Sequence, residues 1–272
     1  MSFAGVPSAR AIRSQHLLVG GVLFVAASVS WIQLASAAEI DAGVDAALFG
    51  GMWLTMVGAM MLPTIEPMVA AYVTLTRGLP LMTRAARSAT FVAPYLMIWA
   101  IAGLLALALR NIALDRPLVA AGLIAAAGLY QLGALKEACL RSCRSPLSFF
   151  LRQGGDPSTA AGALRSGIRH AALCFGCCVG LMVALAGAGA TELTWMAALG
   201  LLMLVEKVHR HGRQISQASG VLLIALAPVT LVVSPMGHSA RIGGLVALGV
   251  LSLVTLATVG PRRASAVLPH PS

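Results

Sequence analysis

Residues 171–190 read AALCFGCCVGLMVALAGAGA, twenty consecutive positions without a charged side chain. A run of this length and hydropathy matches the roughly 20 helical residues that cross the hydrocarbon core of a bilayer. Three cysteines, Cys174, Cys177 and Cys178, lie near its beginning. The segment therefore predicts a membrane-spanning helix with a group of thiols close to one end.

The rest of the chain has a similar composition. Hydrophobic residues make up 58% and charged residues 10% of its 272 positions, and the mean hydropathy is +0.88. Soluble domains carry about 25% charged residues, so this composition excludes an ordinary soluble protein. We predict an all-α fold, a polytopic transmembrane helical bundle in which residues 1–272 form a single integral membrane domain in contact with the lipid bilayer.

Eight apolar runs are predicted to be membrane spans. They cover residues 17–38, 48–68, 89–109, 117–135, 171–190, 193–208, 217–235 and 242–260. The sixth is short, and the second has room to extend to residue 76. The first ends in Ala35, Ser36 and Ala37, a small-residue pattern that a signal peptidase could cut, which would leave seven spans. Its apolar run is longer than that of a typical signal sequence, which favours an uncleaved anchor.

The basic residues predict the orientation. With the N-terminus in the cytoplasm, sixteen of the 19 Lys and Arg residues fall in cytoplasmic segments, and only Arg110, Arg116 and Arg241 fall outside. This asymmetry follows the positive-inside rule and predicts that both termini are cytoplasmic, in a multi-pass protein of a bacterial inner membrane. It also accounts for the net charge of +10 without nucleic acid as a partner.

The longest polar stretch, residues 136–170, is predicted to be a cytoplasmic loop between the fourth and fifth spans. Its proline, its Gly-Gly-Asp-Pro-Ser run and its basic residues indicate a short helix, a turn and a second amphipathic piece. Residues 261–272 are predicted to be a flexible tail. The loop begins with two cysteines, so it is expected to carry part of any thiol site.

The five cysteines of the chain are predicted to meet at the cytoplasmic end of adjacent helices. Cys139 and Cys143 are spaced i, i+4, and Cys174, Cys177 and Cys178 are spaced i, i+3, i+4, so each group lies on one helix face. Intracellular thiols are normally reduced, which favours metal ligands or redox-active thiols over structural disulfides. The structural alternative is that the cysteines pack as small apolar side chains.

Thiolates bind soft metal ions, which predicts a transition metal at this site. Cu(I) is favoured over Zn(II), and an iron-sulfur cluster is less favoured because it usually takes four cysteines. His170, close to the second cysteine group, is a further candidate ligand, with packing at the interface as the alternative.

A methionine ladder in the second span extends the metal hypothesis. Met52, Met56 and Met60 are spaced i, i+4, i+8, so their thioethers lie on one helix face. Such a stripe could pass Cu(I) from the outer side toward the cysteines. Methionine is also a common filler of apolar helices, so simple packing stays open.

Glu66 lies between Pro63 and Pro67, two prolines that are expected to break or kink the second span. An acidic residue within or beside a membrane span indicates a function by default, here a gating, proton or ion role.

Four charged residues end the fourth and sixth spans, namely Lys136, Glu137, Glu206 and Lys207. We expect them to pair across the cytoplasmic face, and structural ion pairs are favoured over a direct role. A phosphate-binding loop, a zinc-protease motif and a nucleophile elbow are all absent from the sequence, so an enzyme is the less favoured class.

The methionines, prolines, cysteines and charged residues described above fall into three sequence motifs. Their residues are Met52, Trp53, Met56, Ala59, Met60, Met61, Pro63 and Pro67; Leu129, Tyr130, Gln131, Leu132, Leu135, Lys136, Cys139, Leu140, Cys143, Arg144 and Pro146; and Cys174, Gly176, Cys177, Cys178, Leu181, Met182, Trp195, Met196, Glu206 and Lys207. They resemble a bacterial family of predicted metal-binding integral membrane proteins of unknown function. The resemblance covers most of residues 50–210 and implies metal binding without naming the metal.

Three functional hypotheses follow. The first is a membrane protein that binds Cu(I), or Zn(II), at the cysteines and serves metal transport or homeostasis, with a metal-donor or membrane protein as partner. The second is a membrane thiol-disulfide redox protein. The third is a non-catalytic scaffold or assembly factor in which the cysteines only pack. The sequence leaves the oligomeric state open.

Overall fold

The computed structural model describes residues 9–37, 46–113, 117–153, 156–187 and 193–233. Within these ranges it contains nine helices and no strand, which confirms the all-α prediction. The helices are α1 (Ala9–Ala37), α2 (Ala46–Leu75), α3 (Leu81–Ala113), α4 (Pro117–Leu132), α5 (Ala134–Cys143), α6 (Pro146–Gln153), α7 (Ala160–Gly187), α8 (Leu193–Val208) and α9 (Gly212–Val233). The predicted eighth span, residues 242–260, and the predicted tail, residues 261–272, lie outside the described residues.

Four of the described helices are long and apolar enough to cross a membrane, and one bent pair adds a fifth candidate. They are Leu17–Ser36, Ala47–Leu75, Leu81–Ala106, Ala160–Leu185 and the pair Leu118–Leu132 with Ala134–Cys143. The predicted sixth span coincides with α8, which has 16 residues. The described residues therefore supply four or five candidate spans, fewer than the eight that the sequence predicts.

The candidate spans differ in how far they are enclosed. In the apolar 18-residue stretch of α7, 56% of the residues are buried, compared with 11% in that of α1. Large apolar side chains on the outer helices face outward, and Phe24 is 70% exposed. Such a surface suits lipid contact. Because α7 packs against α3, α4, α5 and α8, it is the central helix of the described bundle.

The beginning of α7 is fixed by a side-chain cap. The Thr159 hydroxyl accepts a hydrogen bond from the Gly162 amide at 3.0 Å and satisfies one of the free amides of the first turn. Just before it, the Asp156 carboxylate accepts hydrogen bonds from the hydroxyl and the backbone amide of Ser158, which lower the pKa of that exposed carboxyl. The helix therefore begins well before residue 171, and α5, α6 and the first turns of α7 occupy most of the predicted loop.

A sharp bend separates α4 from α5. The two helix axes meet at 63°. Gly133 has an extended backbone (φ −74°, ψ 148°), and its amide donates to the Tyr130 carbonyl at 2.9 Å. The bend turns α5 across the end of the bundle toward α7 and α8. Cys143, at the end of α5, reaches the α7 cysteines for this reason.

The two prolines of α2 do not end the helix. Pro63 and Pro67 both lie inside Ala46–Leu75, so the expected break is absent. Each proline removes one backbone donor, and helices packed among other helices tolerate that loss. Thr64 and Glu66 therefore keep a helical spacing and project from different sides of α2.

Candidate metal centre

The three cysteines of α7 form a compact group of sulfur atoms. The Sγ atoms of Cys174, Cys177 and Cys178 all lie within 4.8 Å of one another, and those of Cys177 and Cys178 are 3.5 Å apart. The side chains are 0%, 1% and 1% exposed. The i, i+3, i+4 spacing places them on one face of α7, turned into the bundle. Sulfurs at this separation can bind one metal ion, at about 2.3 Å each, after small side-chain rotations.

A fourth sulfur comes from another helix. Cys143, at the end of α5, has its Sγ 3.8 Å from the Sγ of Cys177. The Cys177 thiol also donates to the Cys174 carbonyl at 3.1 Å, which holds the middle of the group in place. Two helices therefore contribute thiols to one site, and Cys143 is its more exposed, half-buried member.

Cys139 lies outside the compact group of Cys174, Cys177 and Cys178, and the prediction that all five cysteines bind one metal ion stays a prediction. Cys139 is buried one turn before Cys143 and rests on Gly176 of α7. A Cβ atom at Gly176 would lie 2.7 Å from the Cys139 sulfur, so this side chain fills the space that the glycine leaves. The structure thus places Cys139 in a packing position beside the site.

A buried lysine faces the thiols. The Nζ atom of Lys207 donates to the Cys174 sulfur at 3.1 Å and to the Thr64 hydroxyl at 2.9 Å. Lys207 is 8% exposed. A buried ammonium needs a partner charge, and a thiolate at Cys174 supplies one. Lys207 was expected in an ion pair with a carboxylate and contacts the cysteine group instead.

The expected pairing across the bundle is present between Lys136 and Glu206. The Lys136 ammonium donates to the Glu206 carboxylate at 2.6 Å, and the two side chains are 1% and 2% exposed. The Gln131 amide donates to the other carboxylate oxygen at 3.1 Å and to the Ser219 hydroxyl at 3.0 Å. Glu137 lies at the surface, where it pairs with arginines of α5 and α9. The Glu206 carboxylate is therefore enclosed by donors.

His170 lies one turn before Cys174 and is 3% exposed. Its ring packs among aromatic rings, with centroid distances of 5.6 Å to Phe91, 6.1 Å to Tyr95 and 6.1 Å to Phe149. Among the described residues, neither of its nitrogens has a hydrogen-bond partner. His170 also lies outside the compact sulfur group.

The methionine ladder lies inside the bundle. Met56 and Met60 are 8% and 2% exposed, and Met52 is half-buried. Met60 packs against α8, where its Cγ lies 3.2 Å from the position that a Cβ of Gly200 would occupy. Thr64, the partner of Lys207, is one turn further along α2. The ladder therefore leads along α2 to the level of the cysteine group.

Glu66 lies on another side of α2, in an open cleft of about 710 Å³. The cleft is bounded by α1, by Pro63 and Pro67 of α2, and by the end of α8 with His209 and Arg210. The Glu66 carboxylate passes close to Gly20 of α1, where a Cβ would lie 3.7 Å from its oxygen. The structure therefore separates Glu66 from the cysteine group.

Three contributors had no predicted role, although Tyr130 and Gln131 belong to the second sequence motif. Thr64 anchors Lys207, Gln131 binds the Glu206 carboxylate, and the Tyr130 hydroxyl donates to the Gly176 carbonyl at 2.6 Å. The sequence feature that could have indicated these three residues is a polar side chain inside a predicted span. Such side chains in a membrane helix usually face the protein interior.

These features define a class of protein, an all-helical protein in which apolar helices of membrane-spanning length surround a buried thiol site suited to a soft metal. The family model PpoB2, described as copper chaperone, matches residues 50–230, which is more than half of the chain. The chain belongs to this family. The matched range contains the cysteine group, Lys207 and the buried ion pair. No curated protein and no solved structure is similar enough to this chain to match it.

Proposed function

We propose that this protein is a multi-pass protein of a bacterial inner membrane that receives Cu(I) at a thiolate site and passes it to a partner protein. The observation that carries the proposal is the convergence of Cys143, Cys174, Cys177 and Cys178 beside the Lys207 ammonium. The copper chaperone description of its family supports the choice of cargo.

Ligand softness favours Cu(I) over Zn(II), and the charge of the site suits Cu(I) when two of its thiols are ionised. Two thiolates and one ammonium carry a net charge of −1, so one Cu(I) makes the site neutral. Zn(II) with the same groups leaves one positive charge in a buried, weakly polar environment, which is costly. Soft sulfur ligands also prefer Cu(I). Zn(II) is the second candidate metal, with a third thiolate needed to neutralise it.

The topology of the proposed protein follows the basic residues. We place both termini in the cytoplasm, with eight spans that include residues 193–208, 217–235 and 242–260. This orientation puts the ends of α5 and α8, and with them the cysteine group, on the cytoplasmic side. Copper would then be held where a cytoplasmic or membrane partner can reach Cys143, the most exposed of the four thiols.

The methionines provide a route to this site. Successive thioethers of Met52, Met56 and Met60 are about 6 Å apart along α2, and Thr64 follows one turn later. Copper entering from the outer side would move along buried thioether sulfurs before it reaches the thiolates. His170 would act as an additional ligand through rotation of its ring, and Glu66 would serve as an ion or gating residue at its cleft.

Metal analysis of the purified full-length protein tests the proposal. Protein loaded with Cu(I) and passed over a moderate chelator should keep copper, and the Cys174→Ser/Cys177→Ser/Cys178→Ser variant should lose it. Cys139→Ser is the matched control, because it removes a buried thiol of the same bundle that lies outside the site. Equal copper contents in the wild type and the triple variant would contradict the proposal. Unchanged cellular function after replacement of all five cysteines would favour a scaffold role.

A second candidate function is thiol-disulfide exchange. The 3.8 Å separation of the Cys143 and Cys177 sulfurs, on different helices, favours it. Rotations of the two side chains would bring the sulfurs to the roughly 2.05 Å of a disulfide bond. Alkylation trapping in intact cells distinguishes the two functions, since a redox-dependent shift in a copper-free protein supports exchange.

A further inference from the structure

We propose that His209 and His211 form a second copper site, through which Cu(I) passes between the solvent and the cysteine group. This inference rests on the proposed function for the identity of the cargo. The two histidines lie at the turn between α8 and α9, at the end of the bundle where α5 and α8 end.

The two imidazoles already lie side by side. Their ring centroids are 5.3 Å apart and their planes are inclined by 45°. Two imidazole nitrogens that bind one metal ion at about 2 Å each are separated by at most about 4 Å. Small rotations of the two side chains meet that requirement. Imidazole is a suitable ligand for copper, and two neutral imidazoles bind Cu(I) without adding a charge.

Hydrogen bonds from Arg144 and Gly212 fix the backbone of the turn that carries the two histidines. The Arg144 guanidinium donates to the His209 carbonyl at 2.6 Å and to the Arg210 carbonyl at 3.1 Å. The Gly212 amide donates to the His209 carbonyl at 3.0 Å, and a Cβ at Gly212 would collide with the Glu206 carbonyl. The backbone is thus fixed by contacts on several sides, which pre-organises the side chains.

One hydrogen bond identifies the lone pair that a metal would use. The His211 amide donates to Nδ1 of His209 at 3.2 Å, so this nitrogen acts as the acceptor and faces the backbone of His211. The bond is at the long end for a hydrogen bond. A copper ion between the two rings would replace this weak donor.

Two residues connect the histidine turn to the cysteine group through the chain. Lys207, which contacts the Cys174 sulfur, precedes His209 by two residues. Arg144, which holds the turn, follows Cys143 directly in the chain. His209 also lines the open cleft that contains Glu66, so this imidazole is reachable from outside the bundle.

The chemistry of transfer is ligand exchange. Copper–nitrogen bonds to two neutral imidazoles break, and copper–sulfur bonds to thiolates of the cysteine group form. The metal stays Cu(I), so no electron is transferred. Thiolates are softer and charged ligands, and they hold Cu(I) more strongly than imidazoles do. The histidine pair therefore serves as the exchangeable site and the cysteines as the retaining site.

The full-length His209→Asn/His211→Asn variant tests this inference, with the Cu(I) bicinchoninate complex as the copper source. Asparagine at 209 keeps an acceptor for the amide of residue 211, so the turn is retained. We expect one fewer copper per chain than in the wild type and a rate of copper uptake lowered about tenfold or more. Arg210→Gln is the matched control, because it alters the same turn without removing an imidazole, and it should behave like the wild type. Unchanged stoichiometry and rate in the double histidine variant would overturn the inference.

The cysteine variant separates this inference from the proposed function. Loaded with Cu(I) and measured without the chelator step, Cys174→Ser/Cys177→Ser/Cys178→Ser should still bind one Cu(I), with nitrogen neighbours in its X-ray absorption spectrum, and should lose it when both histidines are also replaced. If the wild-type copper is lost with the histidines and is insensitive to the cysteines, the proposed function fails and the histidine site stands. If the cysteine variant binds no copper while it remains folded by circular dichroism, the histidine site fails.

Discussion

Two buried lysines, Lys136 of α5 and Lys207 of α8, have different partners. Lys136 reaches the α8 carboxylate of Glu206 at 2.6 Å, in a pocket that Gln131 and Ser219 complete. Lys207, the next residue of α8, points the other way and reaches the Cys174 sulfur at 3.1 Å. One ammonium is matched by a carboxylate with several other donors. The other is matched by a thiol whose sulfur can also bind a metal.

The difference follows from helix geometry and from the chemistry of the partners. Neighbouring residues on a helix project about 100° apart, so Glu206 faces α4, α5 and α9 while Lys207 faces α2 and α7. A carboxylate whose oxygens already accept hydrogen bonds from several donors gains little by exchanging its lysine partner. A neighbouring ammonium stabilises a thiolate, and the thiolate is the form of cysteine that binds a soft metal cation. We therefore expect the first pair to act on stability and the second on copper binding.

Breaking the first pair should give the largest effect. Lys136→Met leaves the Glu206 carboxylate buried without its cation, and the free energy of unfolding should fall by about 3–5 kcal/mol. Chemical unfolding in detergent, followed by tryptophan fluorescence, measures the loss. The double variant Lys136→Met/Glu206→Leu should recover much of it, and a single variant as stable as the wild type would refute a structural role for the pair.

Removing the second lysine should act mainly on the metal. Lys207→Met takes away the cation beside Cys174, and Cu(I) affinity should fall by about 10–100-fold. The loss of stability should be smaller than for Lys136→Met, because a thiol without its cation can take up a proton and become neutral. Competition with a chromophoric Cu(I) chelator measures the affinity. Lys207→Arg should restore part of it, and an affinity equal to that of the wild type would remove Lys207 from the site.

The anchor of Lys207 should have a smaller effect. Thr64→Val removes one hydrogen bond to the ammonium at nearly constant volume and leaves every charge in place. A loss of about 1 kcal/mol corresponds to an affinity about fivefold weaker. The same chelator competition measures it. If Cu(I) affinity fell as far as in Lys207→Met, the exact position of the Lys207 ammonium, and not its charge alone, would account for its effect on copper binding.

The surface charges should matter least. Glu137→Gln breaks ion pairs with Arg141 and Arg213, which are 75% and 63% exposed. Solvent screens such pairs, so the free energy of unfolding should change by less than about 1 kcal/mol and copper binding should not change. A change comparable to that of Lys136→Met would show that Glu137 supports the buried pair.

The sequence predicted the helical class and the meeting of cysteines from different helices, because hydropathy and i, i+4 spacing are local properties. It did not predict the bend at Gly133, which depends on how α5 packs at the end of the bundle. That bend brings Cys143 to Cys177 and leaves Cys139 on Gly176. The partner of Lys207 was also missed, since only the rotation of α8 in the folded bundle decides which side each charge faces.

X-ray absorption of the wild-type protein, loaded with one Cu(I) per chain, tests the central claim most directly. We expect two or three sulfur neighbours around the copper, supplied by Cys143, Cys174, Cys177 and Cys178. The Cys139→Ser variant should give the same spectrum. A first shell of nitrogen and oxygen atoms alone in the wild type would contradict the assignment of the cysteine group as the copper site.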